Sequence, residues 1–321
     1  MLTAGQKMTK NRNAIKQIVE FSRKLISSLL FPLRCPICDE ILSPEETEKG
    51  IHLACENKLF SVVGAVCMHC GRPLGQTHAN AVQFHSNQQS LSNANNHSNL
   101  LQFNNDIFEP TSTHEYCYEC HRKGYVPATQ IHHTNSQSHH PNSQPHHHNL
   151  HTSHITQSKS LYLYKGAIKT SMYRLKYSNK REYARYYAAK AIEKHGDWIN
   201  RNNIQAIVPV PVYPAKRKRR GYNQAEVFAK ELSKLTGIKV EKDLVRRVKD
   251  TSPQKELNYQ QRKNNLENAF QKGKSSVQYT HILVVDDIYT TGCTAEAVAE
   301  ELRKQGVRQI YMLSICIGGN D

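Results

Sequence analysis

The sequence predicts an α/β protein, a mostly parallel sheet flanked by helices, preceded by a small N-terminal module held together by metal. Three observations carry this. From Tyr162 onward, apolar β-branched stretches alternate with amphipathic stretches of helical length. Ahead of residue 121, six of the nine cysteines stand as three C-x-x-C pairs. Between these regions runs a tract too polar to build a core, yet 38% apolar content over 321 residues still supplies one sizeable domain and a smaller one.

Residues 1–34 predict a frayed basic start and then a helix, because Ile15, Ile18, Val19, Ser22, Leu25, Ile26 and Leu29 recur on one face before Pro32. "RKLISSLLFPL" runs into "CPIC" instead of a small-residue cleavage site, so it is not read as a leader, and no segment is long enough to span a bilayer. Residues 35–125 form the metal module, interrupted by an insertion rich in Asn, Gln, Ser and His. Residues 76–160 hold 14 of the 18 histidines. Such composition cannot offset its ordering entropy, so disorder is expected, with 126–160 a His-rich linker. Residues 161–321 are the α/β domain. "YKGAIKTSMYRLKY" and "REYARYYAAKAIEKHGDWI" read as helices, "IQAIVPVPV" as a strand, and "NQAEVFAKELSKLTG" as a helix ended by Gly237. "HILVVDD", "TAEAVAEELRKQG" and "QIYMLSICI" follow as strand, helix and strand.

A C-x-x-C pair offers two thiolates from one tight turn, half of a tetrahedral zinc site. Cys55 has no cysteine partner three residues away, but His52 stands there, in "HLAC". Two closed sites are therefore expected: Cys35, Cys38, His52 and Cys55, then Cys67, Cys70, Cys117 and Cys120. His69 and His121 are spare candidates. Four protein ligands leave no open position, so both zinc ions are structural. Metal-spaced rather than bridged thiols also point to a reducing, cytoplasmic compartment.

The chemistry-bearing stretch is "HILVVDDIYTTGCT". Its strand delivers the chain to the carboxyl edge of the sheet, where α/β proteins bind ligands. The turn Thr290, Thr291, Gly292, Cys293 and Thr294 then opens a helix. A glycine for close backbone approach, hydroxyl donors and a helix N-terminus together make a monophosphate pocket. Asp286 and Asp287 would repel phosphate, so they face vicinal ribose hydroxyls, with magnesium nearby. The ligand class is a sugar phosphate.

Of the net charge of +16, residues 161–321 carry +14, a field suited to polyanions. Lys216, Arg217, Lys218, Arg219 and Arg220 follow Pro214 directly. About half of the run is expected on a solvated face. Lys216, Arg217, Lys218 and Arg219, interleaved with Tyr213 and Tyr222, also suit single-stranded nucleic acid.

Residues 282–294 resemble the phosphoribosyl pyrophosphate signature of the type I phosphoribosyltransferases. "VPVPVYPAKRKRRGYNQAEVFAKEL" and "TSPQKELNYQQRKNNLENAF" narrow the resemblance to the ComF family of competence-associated proteins, as do the N-terminal cysteine pairs, which are similar to that family's double zinc ribbon. The match runs from about Leu29 to Ile317, outside the insertion. It implies a type I phosphoribosyltransferase-like fold, phosphoribosyl pyrophosphate bound with magnesium, Arg220 and Gly221 of "RGYNQ" at the pyrophosphate, where an arginine can bind bidentately, and a role in DNA uptake during natural transformation. It also leaves two rivals: a nucleic-acid-binding adaptor with a vestigial or regulatory pocket, and a metabolic transferase. Two departures stand out. His52 replaces a usual cysteine, and 46 residues rather than a short loop separate Cys70 from Cys117. Thr290 stands where purine-salvage relatives carry an acid, which argues against routine purine salvage.

Overall fold

A computed structural model describes residues 32–74, 117, 120, 153–250, 265, 266 and 268–318. The helix expected over residues 15–29, most of the insertion, His121 and the "TSPQKELNYQQRKN" stretch lie outside the described residues.

Five strands form one parallel sheet. They are β1 (Gln157–Leu163), β2 (Ala206–Pro209), β3 (Lys239–Val240), β6 (His281–Tyr289) and β7 (Gln309–Ile317), in the order β1-β7-β6-β2-β3. Two short strands, β4 (Val245–Arg247) and β5 (Phe270–Lys272), pair antiparallel as a separate ribbon. The two central strands, β6 and β7, are buried along almost their whole length, as expected of a sheet covered on both faces.

The helices are α1 (Pro44–Lys49), α2 (Leu53–Glu56), α3 (Ala167–Tyr177), α4 (Tyr183–Arg201), α5 (Pro214–Arg220), α6 (Gln224–Thr236) and α7 (Cys293–Lys304). Ser43 and Glu46 close a reciprocal capping box at the start of α1. Asn223 caps α6 by accepting from the Ala225 N–H, and Gly237 ends it in the left-handed conformation.

One core lies between the sheet and α3, α4 and α6, and takes in Tyr183, Tyr187, Met172, Phe228 and Leu283. The first cysteine module belongs to it, through Cys35, Ile37, Leu42, Ile51 and Cys55. On the opposite face α7, β4 and β5 pack with Val208, Val284 and Met312, and here Val62, Cys67, Cys70 and Cys120 join in. The two halves of the metal module thus clasp the sheet from both sides. The chain between them runs along the free edge of β1: the Val62 N–H donates to Leu161 O and the Leu163 N–H to Phe60 O, at 2.9 and 2.8 Å. That pairing covers an edge that would otherwise template another strand.

Two elements differ from expectation. Strand β1 begins at Gln157, inside the 126–160 stretch expected to be a linker. Two of its polar side chains find internal partners: Ser160 and Ser314 share a 2.7 Å hydrogen bond, and the Trp198 indole donates to Gln157 Oε1 at 2.5 Å, whereas Ser158 Oγ is buried without one. The basic run, expected as a connection, is helix α5, opened by Pro214 and closed by Gly221 at φ +79°.

Candidate functional site

Asp286 and Asp287 end the apolar stretch of β6, at the carboxyl edge of the sheet. A strand turns successive side chains to opposite faces, so the two acids meet different surroundings. Asp287 is buried and pairs with Lys176 near the end of α3, Nζ to Oδ2 at 2.6 Å. Burial alone would raise the Asp287 carboxyl, but the Lys176 ammonium overrides it and holds the group below its ordinary value. Lys176 responds in the opposite sense: desolvation is outweighed by Asp287, and the ammonium is held more tightly. Asp286 is pushed well above the carboxylate range, first by burial and then by the negative charge of Asp287. One acid is therefore held ionised by its lysine, while ionisation of its neighbour is disfavoured.

Lys176 was not singled out from sequence, because it lies 110 positions before the acid pair with no local pattern marking it. The residues around it explain the RGYNQ stretch. The Tyr222 hydroxyl donates to Leu175 O. Arg220 donates through Nη2 to the Tyr177 hydroxyl at 3.0 Å and through Nη1 to Gln224 Oε1 at 3.2 Å. Asn223 Nδ2 donates to Val210 O at 2.9 Å, tying the start of α6 to the end of β2. The stretch is a clamp on the last turn of α3, and so on Lys176. The Arg220 charge also acts on Asp287 and helps keep it ionised. Among the described residues, Arg220 Nε is buried without a hydrogen-bond partner. Arg247, on β4, acts electrostatically on Asp286 and likewise escaped the sequence reading.

After Tyr289 the chain turns through Thr290, Thr291 and Gly292 into α7. Gly292 caps the helix at φ +82°, and a Cβ there would collide with the Tyr289 hydroxyl, so glycine is required twice over. Thr290 is exposed, Thr291 donates through Oγ1 to Cys293 Sγ at 3.2 Å, and Thr294 is partly buried. The N-terminal N–H groups of a helix lack partners within it and carry positive potential. The turn thus places the start of α7 at the carboxyl end of β6.

The expected metal ligands fall into two groups, Cys35, Cys38, His52 and Cys55, and Cys67, Cys70, Cys117 and Cys120, with the ligand atoms of each within 4.8 Å of one another. His52 Nδ1 stands 3.2 Å from Cys38 Sγ. Cys70 and Cys117 sulfurs are 3.6 Å apart, close to the ~3.8 Å edge of a tetrahedron with Zn–S bonds of about 2.3 Å. The donor sets fit structural zinc. His69 instead faces Glu296, 3.6 Å away.

Of the basic run, Lys216 pairs with Asp250 at 2.7 Å and Arg217 with Glu226 at 2.9 Å, while Lys218 and Arg219 are exposed. Tyr222 is buried and offers no stacking face. Among the described residues, Tyr173, Tyr177 and Phe60 are exposed aromatics; the two tyrosines, 60% and 51% accessible, form a pair with ring centroids 5.0 Å apart and the Arg220 guanidinium 4.9 Å from the Tyr177 ring centroid.

These features define a class, and comparison with known proteins agrees with it. Residues 182–319 match the phosphoribosyl transferase domain family, and residues 26–84 the double zinc ribbon domain. The chain therefore combines a double zinc ribbon with a phosphoribosyl transferase domain. Named relatives resemble it over part or most of its length. Competence protein F of Haemophilus influenzae is 41% identical over 110 residues, 34% of this chain and 48% of that one. DNA utilization protein YhgH of Salmonella typhi is 34% identical over the same shares. Competence protein ComFC of Bacillus subtilis is 21% identical over 283 residues, 85% of this chain and 90% of that one. The chain spans about half the length of the first two relatives it matches. Among the described residues, no helix is long and apolar enough to cross a membrane.

Proposed function

We propose that this is a cytoplasmic ComF-type protein that binds phosphoribosyl pyrophosphate with magnesium and assists DNA uptake in natural transformation. The observation that carries the ligand is the acid pair at the end of β6, with Asp287 paired to Lys176 at 2.6 Å, followed at once by the Gly292 turn. In this reading the 5′-phosphate takes the N–H groups of Thr291 to Thr294. The ribose hydroxyls donate to Asp286 and Asp287, and Arg220 meets the pyrophosphate. Carboxylate oxygens suit magnesium, which when bound would neutralise the pyrophosphate charge. Lys176 is the counter-ion that keeps Asp287 ionised until ligand arrives.

Calorimetric titration with phosphoribosyl pyrophosphate, with and without magnesium, tests this. Binding that depends on magnesium and is lost in the double variant Asp286→Asn, Asp287→Asn supports it. Undiminished binding in that variant ends it. Pyrophosphate release on screening amines, amides and bases decides whether the site turns over, and zinc analysis should return two ions per chain.

A second reading, a nucleic-acid adaptor, draws on the Tyr173 and Tyr177 pair beside Arg220 and near the exposed Lys218 and Arg219. Base stacking on an aromatic contributes about 1–3 kcal/mol. Tyr173→Ala with Tyr177→Ala should weaken single-stranded DNA at all salt concentrations, and charge reversal at Lys218 and Arg219 should flatten the salt slope. Unchanged affinity in both would remove this surface.

A further inference from the structure

Arg72 follows the second Cys67–Cys70 knuckle, and its guanidinium reaches into the turn after β6. Nη2 donates to the backbone carbonyl of Thr290 at 2.9 Å, a contact between residues 218 apart in sequence. The backbone of Arg72 is fixed from behind. Its carbonyl accepts from the Cys67 N–H at 2.7 Å, while the Gly71 N–H donates to Cys67 O at 2.9 Å. Gly71 lies so close to β1 that a Cβ there would stand 2.6 Å from Ser158 O, so the knuckle has no room to swing. A second tie runs in parallel. Glu296, in the first turn of α7, accepts from the Ser153 hydroxyl at 2.5 Å and the His154 N–H at 3.0 Å, and faces His69 within the knuckle.

The carbonyl of Thr290 and the N–H of Thr291 belong to one planar trans peptide and point in opposite directions. A donor that holds the carbonyl therefore aims the N–H the other way. Among the described residues, the N–H groups of Thr291 and Gly292 donate to no backbone carbonyl, as befits groups kept for a ligand. We propose that Arg72, carried by the second zinc ribbon, is the positioning residue of the phosphate turn, orienting the Thr291 N–H toward bound phosphate without touching it. The idea rests on the phosphate reading of that turn. It extends that reading by giving the zinc module a part in ligand affinity.

The test compares Arg72→Met, which keeps the apolar stem, and Arg72→Lys with the full-length protein. The amide nitrogen chemical shift of Thr291, which responds to a hydrogen bond on the carbonyl of the same peptide, zinc per chain, and titration with phosphoribosyl pyrophosphate and magnesium are read together. Arg72→Met should keep its zinc, move the Thr291 shift, and weaken the ligand by about 10- to 100-fold, the range for a lost charge-assisted hydrogen bond. Arg72→Lys, with a single ammonium in place of a planar fork, should fall between. Should Arg72→Met shed zinc, Arg72→Lys carries the comparison alone, and a wild-type Thr291 shift there overturns the proposal. An unchanged shift in zinc-loaded Arg72→Met overturns it as well. If the unmodified protein binds no phosphoribosyl pyrophosphate, the functional reading falls, while the Thr291 shift still decides what Arg72 does.

Discussion

The first ribbon, around Cys35, Cys38, His52 and Cys55, leans on helices; the second, around Cys67, Cys70, Cys117 and Cys120, leans on β1 and the turn into α7. In the first, Asp39 accepts from the Tyr183 hydroxyl at 2.6 Å and pairs with Lys180 at 2.8 Å, while Arg174 donates to Ile37 O at 3.0 Å. Arg174 is two residues from Lys176, so this ribbon braces the helix that supplies the counter-ion of Asp287. The second ribbon braces the anion turn through Arg72 and Glu296. Each brings too little apolar surface for a core of its own and borrows the core on its side of the sheet. A double zinc ribbon here is less a separate domain than two struts, one beside the helix that carries Lys176 and one beside the turn into α7.

The largest expected effect comes from cutting one strut at a time. A structural zinc contributes on the order of 10 kcal/mol. Cys70→Ser should therefore lose one zinc and expose the first turn of α7 to exchange, while Cys35→Ser should lose the other zinc and expose α3 and the start of α4. Equal loss of α7 protection in both would break the division between ribbons. Next is Lys176→Met, which strands a buried carboxylate and should cost about 3–5 kcal/mol in urea unfolding with both zinc ions retained. The pH dependence follows in sign. Asp287 is depressed in the fold, so its contribution is present above the unfolded value near 3.8 and disappears as pH falls further. Lys176 is raised, so its contribution holds up to 10.5 and is lost beyond. The penalty of Lys176→Met should thus be flat between about pH 5 and 10 and shrink in stronger acid.

Smaller effects sharpen the same contrast. Asp286 is raised in the fold, so its ionised form costs stability at neutral pH. Asp286→Asn should raise Tm by about 2–4 °C, the shift that roughly 1 kcal/mol makes in a domain of this size, and the gain should vanish below about pH 4. A variant more stable yet unable to bind ligand would mark the acid as kept for function. Smallest is Tyr183→Phe, which removes one hydrogen bond to Asp39 and should cost about 1 kcal/mol, loosening the first ribbon and leaving exchange in the first turn of α7 unchanged.

The sequence shows a reader the parts whose chemistry is local. Strand β6, its acid pair, the Gly292 turn and α7 sit in one run of residues where the period changes from 2 to 3.6, and the cysteine ligands announce themselves by spacing. What escaped is what depends on distance. Lys176 and Arg72 act on groups more than a hundred residues away, and no pattern around either points there. Strand β1 escaped because "QSKSLYL" alternates serine with larger residues, and its serines pass for surface until Ser314 is seen opposite Ser160. Helix α5 was missed for the opposite reason: Pro214 and Gly221 are a standard start and stop, but the run of charge between them drew attention as a ligand patch. Tyr222 was read for its ring, whereas its hydroxyl is what matters.

The two halves of the second ribbon flank the long polar insertion, and their sulfurs meet at 3.6 Å across it. Loop-closure entropy grows only with the logarithm of length, so that insertion is tolerated at small cost. A protease that cuts anywhere between residues 75 and 116 would therefore leave two fragments still joined by their shared metal ion. The nicked protein should migrate as one species until a chelator is added and then come apart.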